Sequence, residues 1–248
     1  MIQLPTEPKL ISKTGNKASF EIGPLYPGYG MTIGNTLRRV LISSISGAAI
    51  TSVKIKGVDH EFSTIPGVME DLLEIIMNLK RVRFQVFSAE PVTLTLSSKG
   101  GGAITASDIE ETADVEVVNP DQHIATVTDK KVTVEMELKV EQGVGYIPVE
   151  QRHKEKLTVG EIAIDGIFTP IKNVHYTVEN IRVGQRTDYN KILLDIETDG
   201  SISPEETLKV ASQLLIDHFQ IIHTVAVPEK EEKTKKEVKE KKAKKKKE

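Results

Sequence analysis

Two adjacent arginines, Arg38 and Arg39, are the residues of this sequence best equipped for specific polar recognition. Each guanidinium presents a planar fork of donors that grips a carboxylate or a set of backbone carbonyls. They follow a glycine-spaced stretch (Gly28, Gly30, Gly34) that invites comparison with a dinucleotide-binding turn: a strand before, a helix after, then another strand and Asp59. Against that comparison, SFEI and TSVKIK alternate where a Rossmann strand runs continuously apolar, and Pro24 and Pro27 separate the first strand from the glycines. The histidines, at 60, 123, 153, 175, 218 and 223, show no metal-ligand spacing, and His218 and His223 stand five apart, off the i, i+4 register. Glu110 and Glu111 lie in a polar stretch and read as solvated. No nucleophile elbow, phosphate loop or kinase signature is present. The chemistry on offer is binding, not covalent catalysis.

The arginines need a helix to present them. With Ile33 as reference and about 100° per residue, Leu37, Val40, Leu41 and Ile45 fall on one side, Arg39 nearly opposite and Arg38 on the flank. A face of that kind suggests a macromolecular partner. The spacing of GVMEDLLEIIMNLK predicts a second helix over 67–80, and alternation predicts strands at 17–22 and 49–56, the latter half-exposed. From 82 to 142 short strands dominate, separated by turns such as Gly100-Gly101-Gly102 and Asn119-Pro120; 143–160 reads as a loop, with strands again near 161–165, 173–183 and 190–198. The last helix has the sharpest start: Ser203 as N-cap, Pro204 in the first turn and Glu206 for a capping box. Its stripe of Leu208, Ala211, Leu215, Phe219 and Ile222, widened by Leu214 and His218, suits either a core face or a dimer seam, the core face being the commoner use.

The formal charge of −3 hides an asymmetry: 228–248 holds 11 lysines and 6 glutamates, leaving 22 basic against 30 acidic residues elsewhere. An acidic body disfavours broad nucleic-acid binding, so an adaptor acting through its tail is the weaker binding-module reading. The tail has almost nothing apolar to bury and reads as a disordered, solubilising extension with, at most, loose attraction to nucleic-acid phosphates. There is no cysteine, hence neither disulfide nor thiolate metal site. Without an apolar run of about 18 residues or a signal-peptide pattern, a cytoplasmic protein without membrane association is expected.

Five colinear segments together resemble the amino-terminal domain of the bacterial RNA polymerase alpha subunit: GYGMTIGNTLRRVL, GVMEDLLEIIMNLK, ADVEVVNPDQHIATV, GVGYIPVE and ENIRVGQRTDYNKILLDIETDGSISPEET. The resemblance implies an α+β fold in two parts, a dimerisation domain from 1–46 plus 173–227 and an inserted β-rich domain from 47–172. It implies a homodimer on which the beta and beta-prime subunits assemble, with no catalytic residue, metal or cofactor here; the magnesium belongs to beta-prime, and DNA is met through the complex. By the same resemblance, Arg39 is the beta contact, with Arg38, Ile42 and Lys80 on or beside that surface, and Ile164 is tied to beta-prime. Tyr29 supports the dimer, and the stripes (Ile33, Leu37 and Leu41; Leu208, Ala211, Leu215, Phe219 and Ile222) become its seam. The family's usual DNA-binding module is not expected of a chain that continues into the lysine-glutamate tail, and the mixed-charge 150–159 loop departs from the acidic activator-facing loop of some relatives.

Overall fold

The computed structural model describes residues 2, 4–58, 60–152, 158 and 160–225; Asp59, His153, most of the 150–159 loop and the 228–248 tail lie outside the described residues. By compactness the chain divides after Gln213, inside its last helix. Strands β1 (Lys9–Thr14) and β2 (Lys17–Leu25) lead into helix α1 (Tyr29–Ser44) and β3 (Ser46–Ile55). Helix α2 (Leu72–Leu79) precedes β4 (Phe84–Val86), β5 (Val92–Lys99), β6 (Gly102–Thr105), β7 (Val115–Val117), β8 (His123–Val127) and β9 (Thr133–Val144). Three short strands follow: β10 (Tyr146–Ile147), β11 (Glu161–Ala163) and β12 (Gly166–Ile167). The long hairpin of β13 (Ile171–Val183) and β14 (Arg186–Thr198) ends at helix α3 (Pro204–His223). The fold is α+β, built from antiparallel pairs, as the sequence predicts.

Within the larger unit, the two ends of the chain make one four-stranded sheet, in the order β1-β2-β14-β13. Period-two alternation puts Ala18, Phe20 and Ile22 of β2 and Ile192, Leu194 and Ile196 of β14 in the interior, and α1 lies across β13 and β14. The intervening chain makes a second sheet, β11-β3-β9-β5, with the pairs β4-β7, β6-β8 and β10-β12 around it. Its core is one cluster that includes Val53, Leu72, Ile75, Leu79, Phe84, Leu94 and Met136.

Several expectations are corrected. β3 is not half-exposed: Ala48 through Val53 are buried, because β3 is an interior strand between β11 and β9 with β4 and β12 also against it. The dinucleotide comparison fails more deeply than alternation suggests, since α1 connects strands of two different antiparallel sheets. β2 continues through Pro24 to Leu25. A proline is tolerated there because the β1 ladder stops at Glu21 and the β14 register shifts between Asn190 and Ile192. α2 begins at Leu72, not near 67: Asp71 caps it, accepting from the Glu74 amide at 2.7 Å, while Val68 bridges Val127 and the Met69 amide bonds the Thr126 carbonyl. The expected 143–160 loop holds the end of β9, β10 and a 3₁₀ turn over Val149–Arg152. β1, wholly exposed, and β6, short, lack the buried alternation that marks a strand in sequence.

In the smaller unit the described residues are 214–225. They continue α3 to His223, with Thr224 turning back to the Ile221 carbonyl. Leu214 and Leu215 are half-buried; Ile216, Phe219, Ile221, Ile222 and Val225 are exposed.

Candidate functional site

α1 presents two contrasting faces. Gly28 occupies the N-cap in the left-handed region (φ 87), a conformation glycine adopts without a Cβ penalty. Gly30 and Gly34 are not a phosphate-cradling turn; they lie within the helix, and a Cβ on either would stand 2.6 Å from Val178 Cγ1 or Tyr176 Cδ2 respectively. The glycines let the helix backbone lie against the hairpin. With Leu37 and Leu41 they form the buried stripe.

The opposite face carries Met31, Arg38, Arg39 and Ile42, all exposed. Among the described residues neither arginine side chain makes a hydrogen bond or ion pair. The backbone beneath them is tied: the Ser43 hydroxyl donates to the Arg39 carbonyl at 2.8 Å, and the Thr169 hydroxyl to that of Ile42 at 3.3 Å. Two cationic forks on a fixed scaffold can accept a carboxylate or carbonyl without breaking an internal bond.

Lys80 and Ile164 are placed differently. The Lys80 ammonium, 27% exposed, pairs with Asp165 at 2.9 Å. The other Asp165 oxygen accepts from the Val149 amide at 3.0 Å. The Lys80 hydrogen bond is the largest influence holding the Asp165 carboxyl below the usual aspartate range. Lys80 is therefore an internal tie between the end of α2 and the segments at 149 and 165. Ile164 is 1% exposed, its side chain inside the core of the second sheet.

The residues expected at the dimer seam divide in the same way. Leu37, Leu41, Leu208 and Ala211 are buried within the protomer. Ile33 and Leu215 are half-buried, while Tyr29, Phe219 and Ile222 are exposed. The Ser203 hydroxyl accepts from the Glu206 amide at 3.2 Å, the N-cap read from the sequence.

Two buried polar residues escaped the sequence reading. Asn190 accepts the Gly28 amide at 2.8 Å and the Gly30 amide at 3.4 Å, and donates to Asn180 at 3.0 Å. Its signal was faint: an amide two residues before the apolar alternation of Ile192, Leu194 and Ile196. Glu70 accepts from His123 (2.9 Å), the Thr126 amide (2.6 Å) and the Thr126 hydroxyl (2.9 Å). Burial pushes its carboxyl up, but those bonds together outweigh burial and leave it below the usual glutamate range. Nor are Glu110 and Glu111 merely solvated: they accept from the Thr95 hydroxyl at 2.5 Å and the Val117 amide at 3.1 Å.

Among the described residues no three His, Asp or Glu side chains converge as a metal ligand set, and no helix is long and apolar enough to cross a membrane.

Residues 53–169 match the family model described as the RNA polymerase Rpb3/RpoA insert domain. The chain is 49% identical over 214 residues to the DNA-directed RNA polymerase subunit alpha of Roseiflexus sp. (strain RS-1), covering 86% of this chain and 66% of that relative. It is 48% identical over 224 residues to the subunit of Moorella thermoacetica, with 87% and 71% covered. With that of Alkaliphilus oremlandii it shares 46% over 230 residues, 91% and 72% covered. The chain thus spans between 66% and 72% of the length of these three relatives. With an insert-domain match between its sheet-forming ends and identity of this depth along most of its length, the chain belongs to the DNA-directed RNA polymerase alpha subunit family.

Proposed function

We propose that this chain is an assembly scaffold for a DNA-directed RNA polymerase: it pairs with a second copy and receives the beta and beta-prime subunits, without supplying a catalytic residue or a resident cofactor. In this reading the dimerisation part is 1–46 plus 173–227, the insert is 47–172, DNA is met through the complex, and the protein works in the cytoplasm. The observation that carries the reading is the division of α1 into a glycine-leucine face fixed on the hairpin and an outer face whose arginines have no partner among the described residues.

A two-fold dimer shows each surface twice, whereas beta and beta-prime differ. Each copy must then offer patches from which the two partners take different sets. The exposed apolar side chains late in α3 supply area for self-association. The arginines add directional bonds that select a partner more than they add bulk affinity. Lys80 and Ile164 support the surface between the end of α2 and Asp165 that these partners meet.

The test is capture of a tagged beta subunit combined with size-exclusion chromatography. The unmodified chain is expected to elute as a dimer and to retain beta. Arg39→Ala is expected to remain a dimer and lose beta, because the side chain is exposed and lies away from the buried stripe of the helix. A monomeric Arg39→Ala, or one that binds beta normally, removes the assignment.

A further inference from the structure

The segment Arg186-Thr187-Asp188-Tyr189-Asn190 touches neither proposed surface, yet it makes a dense set of contacts with the start of α1. Asn190 supplies one oxygen to two amides of the first turn, those of Gly28 (2.8 Å) and Gly30 (3.4 Å). Those donors have no partner within the helix itself. Its amide group is fixed in turn by the Asn180 oxygen at 3.0 Å, across the hairpin. At Tyr26, two residues before the Gly28 N-cap, the chain is held a second time. Arg186 lies 5.6 Å from the Tyr26 ring and 5.4 Å from the Tyr189 ring, close enough for cation–π attraction to both. Asp188 grips the same guanidinium through two bonds, at 3.0 and 2.6 Å. Tyr26 stands edge-on to Tyr29, the first residue of α1, at 6.1 Å, and its carbonyl accepts the Tyr29 amide at 3.0 Å.

These are two independent grips, one polar and one aromatic, on the same helix end. They act where Gly30 already brings the helix backbone within a missing Cβ of Val178 and Asn190. A helix pinned at its first turn and laid flat against a hairpin has little freedom to rotate or slide. The direction of its outer face, ten residues further on, follows from that.

We propose that the Arg186–Asn190 segment is a positioning clamp that sets the register of α1 so that Arg38 and Arg39 meet the beta subunit, with Asn190 as its main positioning residue. The inference rests on the assembly reading above. Asn190 touches no partner itself; it fixes the fraction of chains whose arginine face is correctly aimed, and apparent affinity scales with that fraction.

The experiment uses the full chain and purified beta subunit, with binding measured by titration and folding by thermal melting. Asn190→Ala is expected to weaken beta binding by about fivefold or more, the scale of losing a helix cap. Asn190→Asp keeps the acceptor for both amides, and Asn180 can turn its own amide to donate to the new oxygen, so binding within about twofold of the parent is expected. Ile196→Val removes a buried methylene from the same strand, six residues away, and serves as the control for simple destabilisation. It is expected to lower the melting temperature comparably while leaving beta binding in place. Normal binding by Asn190→Ala, failure of Asn190→Asp to rescue, or an equal loss in Ile196→Val each overturns the clamp. Arg39→Ala is run alongside: its loss of beta together with normal binding by Asn190→Ala sinks the clamp alone, whereas its normal binding sinks the underlying reading.

Discussion

A carboxylate whose side chain is only 10% exposed is tolerated when its oxygens are occupied, and Glu70 meets that condition with three donors. The bonds join the loop before α2 to β8, so this residue is a staple between two elements of the second sheet's core. Its folded carboxyl sits below the ordinary value of 4.5. The sign of the linkage follows: stability from this group is fully present above that value and is lost as pH falls through the lower folded one. Glu70→Gln is expected to cost about 1–2 kcal/mol at neutral pH. The gap between the two proteins should narrow as the pH drops below the glutamate range. Urea midpoints measured for both from neutrality into acid check this; a gap constant with pH would show that the charge contributes nothing. The Lys80–Asp165 pair follows the same sign but is partly open to water, and a contribution of about 0–1 kcal/mol is the scale for such pairs.

At the scale of elements, α1 shows two opposing effects at one position. Replacing Gly30 by alanine gains about 1 kcal/mol of helix propensity. The added Cβ would meet Val178 Cγ1 at 2.6 Å and Asn190 Cβ at 2.9 Å, the latter held by the β14 backbone. Overpacking of that kind costs about 1–3 kcal/mol, so the steric term wins. Gly30→Ala is expected to destabilise the protein by up to about 2 kcal/mol net, read by chemical denaturation. A stabilised variant would show that helix and hairpin separate more easily than this contact implies. α2 teaches the complementary point. A single aspartate cap and the demands of Glu70 shorten an apolar periodic run to eight residues, because the Met69 amide bonds the Thr126 carbonyl of β8 instead of the helix.

At the scale of the molecule, the late part of α3 exposes Phe219 (60%), Ile221 (72%) and Ile222 (62%). Large apolar side chains gathered on one helix segment mark an interaction surface more often than chance exposure. These side chains already face water in the protomer, so charging them should leave its fold intact. Phe219→Asp combined with Ile222→Asp is expected to keep the circular dichroism spectrum and raise the dimer dissociation constant by about 100-fold or more, since an unpaired carboxylate in an apolar seam is costly. Sedimentation velocity reads the outcome, and an unchanged dimer would place the seam elsewhere. Leu215 is a poorer probe, because it is already half-buried and a charge there would also disturb the protomer.

Local pattern determined a good deal by itself: the α+β composition, the outward arginines of α1, the Ser203 cap and most strands, because periodicity and capping are properties of neighbouring residues. It also carried the family, through five segments in order. Which apolar residue faces what was decided only by the tertiary structure. A helical stripe reports that a face is buried, not by whom. Leu37, Leu41, Leu208 and Ala211 turned inward to their own protomer, Phe219 and Ile222 were left to solvent, and Ile164 went into the core. The glycines of α1 became a packing surface, and Asn190 became a cap, because residues about 140–160 positions apart in sequence are brought together by the pairing of β2 with β14 and β14 with β13.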